Sequence, residues 1–185
     1  MEAVESYKLL GPIYCAIIWA AVFFVLKKWP GDRTMTISKH VAAYREAYLF
    51  FAIVRTLSFP MFFLFLFRWF LPELEMPTVA YVLMALAISG DLISAWIPET
   101  TGWKGRVHKW SAYGMAATVL PFTIIIALSP HISTFAHAFS YVAILFMVLF
   151  WVLFVTHKKS KEYYLYFQLA YFVLFDIAFL SAAFL

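Results

Sequence analysis

Apolar residues in this chain fall in long unbroken runs, with polar residues gathered into the segments between them. Six runs stand out, at about 9–26, 47–71, 77–97, 110–129, 132–156 and 163–185. A helix crossing about 30 Å of hydrocarbon at ~1.5 Å per residue needs roughly 20 apolar residues, and each run is of that length. None alternates in polarity, so membrane β-strands are not predicted. The pattern predicts an all-α, polytopic transmembrane bundle of six spans forming one domain over 1–185. The second run is long and holds Arg55 and Pro60, which predicts a tilt or kink. Pro12 and Pro121 fit inside spans where neighbours satisfy the freed carbonyls.

The polar segments set the orientation. Loop 1–2 carries Lys27, Lys28, Arg33, Lys39 and Arg45; loop 3–4 carries Lys104, Arg106 and Lys109; loop 5–6 carries Lys158, Lys159 and Lys161. The opposite side has only Lys8 and Arg68. Basic residues concentrate on the cytoplasmic side of membrane proteins, so these three loops are expected in the cytoplasm and both termini outside. Trp29, Trp69, Trp96, Trp103, Trp110 and the pair Tyr163–Tyr164 fall near the predicted interfaces, as belt residues do. Within loop 1–2, SKHVAAYREAY reads either as a short amphipathic helix capped by Ser38 or as an extension of span two.

Composition strengthens this class. The 185 residues are 65% hydrophobic, 21% aromatic and 13% charged, with a mean hydropathy of +0.85. A soluble domain carries about 25% charged residues, so there is too little polar surface here to face water. The opening MEAVES is acidic, unlike a signal peptide, and the first run ends in FFVLKKWP; it is expected to be a retained span. The net charge of +4 is explained by the loop clusters, and no nucleic-acid partner is expected. The single cysteine, Cys15, lies in the first run and cannot form an internal disulfide.

A few polar residues interrupt the runs. Arg55 and Asp91 sit in antiparallel spans, each roughly a third of the way in from the cytoplasmic side. Uncompensated charge in the bilayer is costly, so intramembrane charges pair or line a wet cavity. An Arg55–Asp91 pair is expected, with Asp176 in span six as the competing partner. Such a pair also serves simply to fix helix register. Ser94 is one turn from Asp91 on the same face and joins Arg55, Asp91 and His108 as a candidate polar cluster. Ser38, His40, His157 and Asp176 are secondary candidates. A zinc site would draw on Asp91, His108 and His157, since imidazole and carboxylate suit zinc, yet no HxxH, HxxxH or HExxH occurs. No pair of histidines faces across the bundle for haem, and no lysine lies deep in a span for retinal; neither is expected. There is no phosphate-binding glycine loop, GxSxG or CxxC.

Two stretches carry a resemblance: TMTISKHVA at 34–42 and SGDLISAWIPETTGWKGRVHKW at 89–110. Ile37–Ser38 after span one, Pro98 closing span three, Gly105-Arg106-Val107-His108 and the run Ser111-Ala112-Tyr113-Gly114 resemble the motifs of a family of small six-helix prokaryotic membrane proteins, domain of unknown function nine-nine-eight. Lys39 stands where that family has an aspartate. The resemblance implies a six-span topology in a prokaryotic plasma membrane and no established activity. A more distant analogy is to the ceramidase and adiponectin-receptor superfamily of zinc amidases, although the terminal HxxxH is missing.

Three functions follow as expectations. The first is binding of a lipid or other apolar small molecule in an aromatic-rich cavity, with Arg55, Asp91 and His108 at its cytoplasmic mouth; the 21 phenylalanines and the few polar groups at one depth motivate it. The second is a zinc-dependent lipid hydrolase. The third is a small transporter or sensor using Asp91 and Asp176, for which a homo-oligomer would supply the symmetry that six spans lack. Membrane lipids are the expected partners.

Overall fold

The computed structural model describes residues 5–157 and 162–185; Lys158, Lys159 and Lys161 of loop 5–6 lie outside them. A 3-10 turn, Ser6–Leu9, leads into α1 (Leu10–Lys28). The short helix α2 (Ile37–Ala42) follows, then α3, which is α-helical over Arg45–Phe63, π-helical over Leu64–Phe70 and closes with a turn at Leu71–Glu73. The remaining helices are α4 (Thr78–Trp96), α5 (Gly102–Leu128), α6 (Thr134–Thr156) and α7 (Tyr164–Phe184). Six are long and apolar enough to cross a membrane, and no strand occurs among the described residues. The chain is an integral membrane helical bundle.

Successive spans pack against one another, and α7 returns to touch both α5 and α1. This closes a ring of α1, α3, α4, α5 and α7, with α6 packed outside it against α5 and α7. The end holding loops 1–2 and 3–4 is the basic end. At the far end the ring is filled by Phe65, Phe70, Phe122 and Phe179, all fully buried. Phe179 lies 4.5 Å from Phe70, 5.2 Å from Phe65 and 5.4 Å from Phe175 between ring centroids. Lipid tails are as apolar as these rings, so dispersion and shape fit hold this core rather than escape from water.

Several boundaries differ from the sequence expectation, each for a local reason. The fourth span begins at Gly102 rather than 110, because its first two turns, GWKGRVHK, are polar and carry no hydropathy signal. The helix of loop 1–2 is capped by Thr36, whose Oγ1 accepts from the Lys39 amide at 3.0 Å, and not by Ser38. It is separate from span two, since Tyr44 is extended before α3 starts. The second span, where a tilt or kink is expected, is π-helical over Leu64–Phe70, beginning four residues after Pro60.

Two glycines set close backbone approaches. A Cβ on Gly90 would lie 2.7 Å from the Ser111 carbonyl oxygen, so α4 and α5 meet as closely as glycine permits. A Cβ on Gly105 would stand 1.7 Å from the Thr100 carbonyl oxygen. The turn between these helices therefore folds back onto the first turn of α5, which begins at Gly102 with φ +79°. Gly102 supplies the left-handed backbone, whereas Gly105 supplies room.

Loop 1–2 roofs the basic end. Thr36 Oγ1 donates to Glu99 Oε2 at 2.9 Å, the Ile37 amide donates to Gln168 Oε1 at 2.9 Å, and the Leu165 amide donates to the Arg33 carbonyl at 3.1 Å. These bonds tie α2 to the 3–4 turn and to the start of α7.

Candidate functional site

Beneath that roof lies a cavity of about 160 Å³, lined from α1, α3, α4, α5 and α7 and from α2 above; α6 contributes no residue. Small side chains make the space: Ala87 and Ala95 on α4 and Ala112 on α5. Phe62 and Phe175 form part of the lining and belong to the far aromatic core as well. Arg55, Asp91, Ser94 and His108, the polar cluster expected from sequence, all line this one cavity.

Arg55 Nε donates to Asp91 Oδ2 at 3.0 Å, and its Nη2 pairs with Oδ1, giving the two-pronged geometry that suits guanidinium and carboxylate. The guanidinium carbon is 5.2 Å from the centroid of the Phe51 ring. Asp176 also lines the cavity but is not the partner of Arg55: its Oδ2 accepts from Trp19 Nε1 at 2.7 Å. Each intramembrane carboxylate thus has its own donor. Ser94 donates to the carbonyl of Asp91 at 2.9 Å and Ser89 to that of Ala85 at 2.7 Å, so both hydroxyls serve their own helix.

His108 is 3% exposed. Its Nδ1 lies 2.6 Å from the Ile97 carbonyl oxygen, and a carbonyl can only accept, so Nδ1 carries the proton in that bond. Nε2 is buried with no hydrogen-bond partner and sits 4.0 Å from Glu99 Oε2. Pro98 and the Gly105–Thr100 approach fix the turn that brings Ile97, Glu99 and His108 together.

A second space of about 410 Å³ runs between α5, α6 and α7. Glu99, His108 and Lys109 line its basic end; Ala116, Phe150 and Phe167 line it deeper. It shares His108, Ala112, Gln168 and Phe172 with the inner cavity, and exposed Tyr113 and Trp151 stand on its rim.

The other candidates are dispersed. Ser38 lines both spaces. His40 lines neither; its Nδ1 is 3.0 Å from the Thr36 carbonyl oxygen and its ring packs on Gly31. His157 is exposed at the end of α6, outside the ring. His137 bonds the Ala127 carbonyl at 2.9 Å. Among the described residues no three His, Cys, Asp or Glu side chains gather as a metal ligand set. The zinc set Asp91, His108 and His157 is therefore not assembled: Asp91 is held by Arg55, and His157 belongs to the helix outside the ring.

Sequence reasoning passed over Glu99, Thr36 and Trp19. Trp19 had a usable signal, being a tryptophan in mid-span at a depth similar to that of Asp176. Glu99 lay in a turn, where a carboxylate is ordinarily solvated. Comparison with family models, with curated proteins and with solved structures finds no match to this chain.

Proposed function

We propose that this protein binds a lipid or another apolar small molecule inside the bundle, with the polar mouth of the site at the cytoplasmic face of a prokaryotic plasma membrane. One observation carries the reading: a mostly apolar cavity roofed by a short helix, in which the few polar groups are held by one another or by the backbone. Ligand sites combine apolar walls with a small number of placed polar groups. A cavity of about 150 Å³ holds a benzene-sized body, so the inner space suits part of a lipid and the adjoining groove suits its remainder. The clustering of basic residues at one end supports the cytoplasmic assignment of that end.

Lipid mass spectrometry on the purified protein tests the idea. Wild type is expected to retain a lipid fraction distinct from the bulk extract, and Ala112→Phe, which fills the wall shared by both spaces, is expected to lose it. Wild-type lipid identical to bulk would remove the reading.

A further inference from the structure

The polar end of the groove narrows the chemistry of its occupant. His108 Nε2 and Glu99 Oε2 face each other at 4.0 Å, and both are acceptors. In the neutral ring, with its proton on Nδ1 toward Ile97, Nε2 is an acceptor, and Glu99 is one as a carboxylate that already accepts from Thr36. The side chains of His108 and Glu99 are only 3% and 9% exposed. Neither acceptor can donate to the other, so Nε2 of His108 is left without a partner. Among the described residues no lysine or arginine forms an ion pair with Glu99.

We propose that the groove takes a phospholipid with a primary-amine headgroup, its ammonium seated between His108 Nε2 and Glu99 and its phosphate toward Lys109. This deepens the lipid-binding reading above and rests on it. An ammonium offers three N–H donors, enough to satisfy both acceptors, and its charge compensates a nearly buried carboxylate. A choline headgroup has the charge but no N–H to give. A glycerol headgroup has O–H donors but no positive charge to compensate the carboxylate of Glu99. Lys109, lining the same end of the groove, is placed to meet a phosphate, and the chains would follow Ala116, Phe150 and Phe167.

The test is native mass spectrometry of the full chain in detergent. The micelles carry equal amounts of phosphatidylethanolamine, phosphatidylcholine and phosphatidylglycerol with identical acyl chains. The ethanolamine adduct is expected to exceed the choline adduct by about tenfold, as a charge-assisted hydrogen bond would give. Glu99→Gln, which keeps the acceptor for Thr36 but removes the charge, is expected to bring the ratio toward one while choline lipid is still retained. His108→Ala should act in the same direction, and Glu99→Gln decides the matter where His108→Ala does not fold. Equal ethanolamine and choline adducts in wild type, a preference for the glycerol lipid, or a ratio unmoved by Glu99→Gln would overturn the headgroup assignment and leave lipid binding standing. Retention of none of the three lipids would remove both.

Discussion

At the far end of the bundle, Phe65, Phe70, Phe122 and Phe179 fill the ring completely; at the basic end the same ring encloses a cavity. None of those four phenylalanines lines the cavity. Its space comes from alanines on α4 and α5, and its shape is held by paired polar groups. Aromatic side chains serve both halves: Phe51, Phe59, Phe62, Phe172 and Phe175 line the cavity, while the most deeply buried phenylalanines seal the other half of the interior. Stability should therefore depend on dispersion at one end and on ion pairing and hydrogen bonding at the other.

The sharpest way to break this contrast is Phe179→Ala, which removes a fully buried ring from the closed half. A loss of about 4 kcal/mol is expected in reversible unfolding from mixed micelles, with lipid retention by the folded protein preserved. A loss under about 1 kcal/mol would mean the far end is not a packed core. Next comes Asp91→Leu, which strands Arg55 inside the ring at a cost of about 3 kcal/mol. The double variant Arg55→Leu with Asp91→Leu should recover most of that loss, and a double variant no better than the single one would deny the pair its role. Gly105→Ala forces the 3–4 turn off α5 and should cost about 2 kcal/mol; since the turn positions Glu99 and His108, headgroup preference should fall with it. Ser94→Ala is expected to stay within about 0.5 kcal/mol of wild type, because its hydroxyl bonds only its own helix. A large effect there, on unfolding or on lipid retention, would give the Ser94 hydroxyl a role in the cavity beyond its bond to its own helix.

Much of the frame was legible from the order of residues alone. Span positions follow from run length, and the Arg55–Asp91 pair follows from the cost of leaving either charge alone in lipid. What escaped depends on three-dimensional register. Thr36 and Ser38 are similar cap residues, and only the chain path shows that Thr36 holds both the Lys39 amide and Glu99. The polar opening turns of α5 carry no hydropathy signal, so the apolar run from about 110 leaves out His108, which lies about two turns inside the helix. Depth alone makes Asp176 a competing partner for Arg55, yet rotation about the helix axis turns it to Trp19. Hydropathy carries no information on rotation when every face of a span is apolar.

The fastenings of loop 1–2 bear on how anything reaches the interior. Lifting that roof breaks its bonds to Glu99, Gln168 and Leu165 together, while the wall between cavity and groove is a seam of side chains at Ala112 and Phe172. Parting those two side chains breaks none of the three roof bonds. For a molecule arriving by that path, occupancy follows its mole fraction in the surrounding leaflet rather than its concentration in water.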